Sequence, residues 1–318
     1  MKVSIAMATY NGGEYLQGQL DSFLAQTRRP DELVVCDDGS TDGTMDTLER
    51  FAELADFDVK IVRNSQNLGF VRNFEKCMRI CTGDVIFLSD QDDVWFENKV
   101  GTVEGEFVAH PDVVVIAHDA RLVDENLQCY GATMRSQSLA GFGSDDSVVS
   151  GAVTALRRRF LGHALPIPDG VIGHDVWLHE LARLLKARLV LVDQLQLTRR
   201  HSSNTSKWVA SSTKKINRFS VWSAHLRTCV AADYSDRHSL NSALQSAIDS
   251  IREAGDFPPA VLVDASSLLE IERAAIGERD RLVQAGWMAR RFRAVRMLAC
   301  GKYRHFNGLA SFLRDFLR

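Results

Sequence analysis

Asp90, Asp92 and Asp93 lie within four residues of one another, with Gln91 among them, directly behind the apolar run 85–88. A carboxylate at the rim of a core is costly unless it is solvated, paired or bound to a cation. Acids ahead of a helix beginning near Trp95 would cap the exposed amides there, but that accounts for one carboxylate and scarcely for three. Hard divalent cations such as Mg²⁺ and Mn²⁺ take oxygen ligands and commonly combine one or two carboxylates with a substrate phosphate. A metal and phosphate site is therefore the reading that covers most of these residues.

Such a site has several owners. An apolar strand ending in Asp also occurs in P-loop nucleotidases, but no G-x-x-x-x-G-K-[ST] occurs in this chain, which excludes them. "DQDDV" fits the D-x-D-x-[TV] pattern of haloacid-dehalogenase-like phosphatases, in which the first Asp is a nucleophile, although here the motif ends the fourth strand-like run rather than the first. A ligand-binding or scaffold protein whose acidic rim persists without turnover is the non-enzymatic alternative.

The elements that must position these groups follow from the hydrophobic pattern. Short apolar runs (3–8, 33–36, 59–62, 85–88, 113–117) alternate with amphipathic segments (14–26, 44–55, 70–81, 96–109). This is the rhythm of β-α-β units around a mostly parallel sheet flanked by helices, in which ligands collect at the carboxyl ends of the strands. "ATYNGG", "CDDGSTDGT" and "SDQDD" all fall at such ends. The stretch 131–150 reads as a long loop, followed by strand-like "GAVTAL", a helix opening near His174, and strand-like "RLVLVD" and "QLQLTRR". From about Trp208 the pattern is helical, broken at Pro258 and Pro259.

With 318 residues, 45% hydrophobic and 25% charged, the chain has the balance of a globular protein. The formal net charge of -3 conceals a basic end, where Arg290, Arg291, Arg293, Arg296, Lys302 and Arg304 cluster. Six cysteines without a C-x-x-C pair fit a reduced, cytoplasmic setting. Neither a leader peptide nor a spanning segment is expected.

In order, "MATYNGGEYL", "VVCDDGSTDGT", "NLGF", "TGDVIFLSDQDDVW" and "GHDVWL" resemble family 2 glycosyltransferases, and the chain is most similar to bacterial rhamnosyltransferase-like members that build cell-surface polysaccharides. The resemblance covers about 2–206. It implies an inverting GT-A fold: a catalytic domain over 1–206, with a donor half over about 1–119 and an acceptor half over about 120–206, and a helical region over 207–318.

The resemblance also assigns roles. Tyr10, next to Thr9, would stack on the nucleotide base. Asp38 would accept from a pyrimidine N3–H, or Asp37 if the register differs by one. Arg72 would face the nucleotide. Asp90 and Asp92 form a D-x-D site for the donor and for Mn²⁺ or Mg²⁺, with His201 as a third ligand and Arg199 or Arg200 on phosphate. Asp175 is the general base; Gly151, His174 and Trp177 line the acceptor. Each has a plainer role: turn chemistry for Asp38 and Asp42, a helix cap for Asp175, core for Trp177, solvated charge for Arg72 and His201. The implied partners are a nucleotide-diphosphate sugar and a glycan acceptor, lipid-linked in one form; nucleic acid is not among them. Apolar residues interleaved with Arg and Lys beyond Trp287 suit the inner face of the plasma membrane, or equally a packed bundle.

Overall fold

The computed structural model describes residues 1–140, 148–201, 213–216, 234–306 and 308–317. The proposed boundary at Ser206 lies outside these residues.

The N-terminal half realises the expected alternation. Strands β1 (Val3–Thr9), β2 (Glu32–Asp37), β3 (Asp58–Arg63) and β4 (Val85–Ser89) alternate with helices α1 (Leu16–Leu24), α2 (Thr44–Leu54) and α3 (Phe70–Ile80). β5 (Val94–Trp95), α4 (Lys99–Ala109), β6 (Val115–Val123), β7 (Cys129–Thr133), α5 (Met134–Ala140), β8 (Thr154–Arg157), α6 (Leu161–Ala164), α7 (His174–Leu184) and β9 (Arg188–Arg199) complete this part. One sheet runs β3-β2-β1-β4-β8-β6-β9-β5, with β7 paired to β6. The first four strands are parallel, whereas β8 runs antiparallel to both β4 and β6. The parallel character thus belongs to the first half, and the second half is mixed.

β2 and β4 are buried along their whole length, as strands covered on both faces must be. One face packs Leu20, Phe23, Phe51, Val103 and Phe107 from α1, α2 and α4. The other packs Phe74, Met78, Leu178 and Leu181 from α3 and α7, and continues without a break into helices α8 (Ser235–Ala254) and α9 (Pro259–Val283) through Ile248, Leu262 and Leu269. The first two C-terminal helices therefore share the core of the sheet. Helices α10 (Trp287–Ala299) and α11 (Gly308–Leu317) close a separate small cluster on the end of α9, around Leu282, Ala294, Met297 and Tyr303. There Arg279 donates to both carboxylate oxygens of Asp315, and Tyr303 donates to the same group.

Two expectations need correction. No helix begins at Trp95: that residue is in β5 beside Gln196 of β9, and α4 starts only at Lys99. The acids therefore do not cap α4. The stretch 131–150 is not loop throughout, since 129–140 form β7 and α5. No helix among the described residues is long and apolar enough to cross a membrane.

Candidate functional site

The loop after β1 is locked to the loop after β2. Asn11, in the left-handed region at φ 47°, donates its N–H to Ser40 Oγ at 2.9 Å and accepts from Thr41 N at 2.9 Å. Gly12 N donates to Thr44 Oγ1, and Gly13 N to Asp42 Oδ2. A third loop joins through Gln91, whose Oε1 accepts from Tyr10 N at 2.9 Å while its Nε2 donates to Tyr10 O at 3.1 Å. Gly12 is required by that clamp, because a Cβ there would lie 2.3 Å from Gln91 Cδ.

Tyr10 is 52% exposed and, with Asp38, Gly39, Arg63 and 64–67, lines a cleft of about 610 Å³. Asp38 Oδ1 accepts from Asn64 Nδ2 (2.8 Å) and Leu68 N (2.7 Å), and its Oδ2 from Gly69 N (2.9 Å), so it fixes the far wall. A larger concavity of about 810 Å³ opens between Asp84 and Arg157 at the opposite ends of the strands, away from the acidic groups.

Three of the proposed donor residues do not line this cleft. Asp37 is fully buried, accepting from Thr9 Oγ1, Gly39 N, Ser40 N and Ser40 Oγ. Thr9 is buried with it, so both build the floor of the cleft rather than its surface. The guanidinium of Arg72 is taken by Glu75, the Ile167 carbonyl and Asp169 and does not line the cleft, because its helix turns that face toward the loop before α7.

The carboxylates behind β4 are held by residues far along the chain. Asp93 accepts from Gln196 Nε2 at 2.7 Å and from Arg199 N at 2.9 Å. Asp92 Oδ2 faces His201 Nε2 across 2.7 Å, and its carbonyl accepts from Arg199 Nε at 2.8 Å. Lys99, fully buried, reaches from beneath: Nζ donates to Gln196 Oε1 (2.6 Å) and Ala152 O (3.2 Å) and sits 3.6 Å from the centre of the Trp95 ring. Burial holds its ammonium well below the usual range, while the charges of Asp93 and Asp90 oppose that shift. Ligand atoms of Asp90, Asp92 and Asp93 all lie within 4.8 Å of one another.

Burial, and then the charges of Asp92 and Asp175, push the Asp90 carboxyl up to about 7. A dication between these groups would relieve that repulsion. Asp93 already accepts protein N–H groups at both oxygens, so within the cluster Asp90 and Asp92 are the carboxylates better fitted to a hard cation, with His201 beside Asp92. Arg199 is occupied by the carbonyls of Asp92 and Glu125 (2.5 Å) and stacks on Tyr15, so Arg200, whose charge acts on Asp90 and Asp93, is the arginine suited to phosphate.

Of the residues expected to meet the acceptor, Asp175 lies in the first turn of α7, its Oδ1 accepting from Val176 N at 2.8 Å, and its charge reaches Asp90. His174 is buried and stacks on Phe74 with centroids 4.2 Å apart. Neither ring nitrogen has a hydrogen-bond partner among the described residues, and burial lowers its pKa. Gly151 faces this ring so closely that a Cβ would lie 2.5 Å from Nε2. Trp177 corrects the expectation of a sugar-facing wall: it is 1% exposed, donates to Ala164 O and belongs to the core. Spacing carried that signal, since His174, Trp177, Leu178 and Leu181 form one helical stripe. Lys99 and Gln196 carried none, because a lone Lys or Gln reads as solvated.

The site thus brings a nucleotide-sized cleft, a three-carboxylate cluster and a further acid to one rim of a GT-A α/β sheet. Residues 4–158 match the model of glycosyl transferase family 2, so nearly half of the chain is similar to that family. An uncharacterized glycosyltransferase of Nostoc sp. is 34% identical over 126 residues, which are 40% of this chain and 38% of that protein. The Escherichia coli UDP-Glc:alpha-D-GlcNAc-diphosphoundecaprenol beta-1,3-glucosyltransferase WfgD is 33% identical over 98 residues, or 31% of this chain and 38% of that one. The match thus spans well under half the length of these curated relatives. The crystal structure of S. aureus TarS 1-349 in complex with UDP-GlcNAc superposes with a TM-score of 0.55 at 16% identity, covering 99% of this chain and 92% of that chain.

Proposed function

We propose that the chain is a divalent-cation-dependent inverting transferase that moves a hexose from a nucleoside diphosphate to an acceptor hydroxyl in bacterial surface-polysaccharide synthesis. The observation that carries this reading is the meeting of Asp90, Asp92 and Asp175 at the strand ends beside the Tyr10 cleft. Tyr10 stacks on the base. Asp38 Oδ2, which accepts only Gly69 N–H among the described residues, takes the pyrimidine N3–H. Asp90, Asp92 and His201 would hold Mn²⁺ or Mg²⁺, whose charge would offset that of the diphosphate. Arg200 adds a fixed positive charge on the same side.

Asp175 removes the acceptor proton as the acceptor oxygen bonds to the anomeric carbon. The bond from that carbon to the diphosphate oxygen breaks on the opposite face, its electron pair leaving with the nucleotide, so the centre inverts in one displacement. Gly151 and His174 line the path by which the acceptor approaches. The UDP-sugar named for WfgD and the UDP-GlcNAc bound to TarS support a UDP-hexose over the rhamnosyl donor of the resemblance. The diphosphoundecaprenol in the name of WfgD supports a lipid-linked acceptor, met at the membrane surface by the C-terminal helices. The phosphatase alternative has no such support.

The test is transfer from a panel of nucleotide sugars with Mn²⁺, Mg²⁺ or chelator, for the wild type, Asp92→Asn and Asp175→Asn. Both variants keep their circular dichroism. Loss of the base lowers kcat by about 10² to 10⁴, and Asp92→Asn removes metal-dependent turnover. Full activity in either variant removes that residue's role.

A further inference from the structure

Helix α10 has two apolar stripes, and among the described residues the fold buries only one. Ala294 and Met297 face inward onto Leu282 and Tyr303. Met288, Phe292 and Val295, spaced four and three apart on another face, are 75%, 74% and 50% exposed. At 100° per residue these three fall within about 60° of one another and at least 100° from the buried pair. Trp287, 58% exposed, borders the stripe on one side beneath the guanidinium of Arg291 at 3.9 Å. Arg293 and Arg296, both exposed, border it on the other. From 287 to 314 the chain carries seven Lys or Arg and no Asp or Glu.

We infer that the Met288–Phe292–Val295 face of α10 docks on an anionic lipid bilayer. The inference narrows the membrane contact proposed above to one helix face and a headgroup charge. An apolar stripe lets side chains enter the acyl boundary, and arginines on both flanks meet phosphate headgroups. A second copy of the chain is a poorer occupant: in a two-fold contact the same face meets itself, which sets arginines against arginines. α10 packs on the end of α9 and not on the sheet, so this face can lie on a membrane while the strand ends stay open to donor.

The experiment is co-sedimentation of the full chain with phosphatidylcholine vesicles, with and without phosphatidylglycerol. The wild type pellets with the anionic vesicles, and salt weakens the association. Phe292→Ser lowers vesicle affinity by about tenfold or more. Arg293→Gln with Arg296→Gln lowers it by about fivefold per charge. Both variants keep wild-type transfer to a soluble acceptor, so failure at the membrane is distinct from failure of the catalytic reading. Absent or equal binding to both vesicles, or unchanged binding by both variants, overturns the inference. So does a wild-type dimer that Phe292→Ser converts to monomer.

Discussion

Replacing Lys99 with Met tests whether the acidic cluster is held from below. The substitution keeps the length of the stem and removes the ammonium, with its bonds to Gln196 Oε1 at 2.6 Å and Ala152 O at 3.2 Å. Bonds to a charged group contribute about 1.5 to 3 kcal/mol each, but Met also escapes the desolvation of a buried cation, which takes back a large part. The expected net loss is about 3 kcal/mol. Gln196 relays the effect, since its Nε2 donates to Asp93 at 2.7 Å. Burial and the charges of Asp92 and Asp90 already drive the Asp93 carboxyl well above its usual value. Asp93→Asn removes the charge that Lys99 faces, so Lys99→Met with Asp93→Asn loses less than the two single changes together, by at least about 1 kcal/mol. Urea unfolding of the four proteins measures this. An additive cycle, or a Lys99→Met protein as stable as the wild type, refutes the coupling.

Two further outcomes follow from the site. Asp90 titrates near 7 instead of its usual 3.8, so the folded protein holds a proton that the unfolded chain releases; stability is lost as pH rises from about 4 through 7. A cation bound there as proposed displaces that proton, so the rise in Tm produced by Mn²⁺ is larger at pH 8 than at pH 5.5 and its pH dependence shrinks in Asp90→Asn; a shift independent of pH contradicts the assignment. Gly151→Ala drives a methyl against His174, which the Phe74 stack prevents from swinging aside. It costs about 1 to 3 kcal/mol and raises KM for acceptor but not for donor; unchanged acceptor kinetics remove Gly151 from that side.

What the sequence made legible was local. The β1 to β4 alternation follows from runs of four to six mostly apolar residues and amphipathic helices, and the interlocked turns follow from Asn, Asp, Ser and Gly at strand ends. These signals and the resemblance single out Tyr10, Asp38, Asp90, Asp92, Asp175 and His201 as candidates. Non-local pairing was not legible. Trp95 reads as a helix start until its partner Gln196, 101 residues later, is known to draw it into a strand. Residues 188–199 read as two strands because Asp193 and Gln194 interrupt the apolar pattern, yet a register shift against β6 carries β9 through them as one. Asp37 and Asp38 differ by one position and share a residue type. Only the direction of each side chain separates a buried strut from the wall of a cleft.

The dependence of the acidic loop on β9 also imposes an order in time. Asp93 leaves the ribosome 106 residues before the Arg199 amide that it accepts from, and Asp92 leaves it 109 residues before His201. At roughly 5 to 20 residues per second the nascent chain carries these carboxylates for about 5 to 20 s before their neighbours exist. A fragment ending at 158 lacks those neighbours at any age, so the span that matches the family model does not by itself contain what seats the acidic loop.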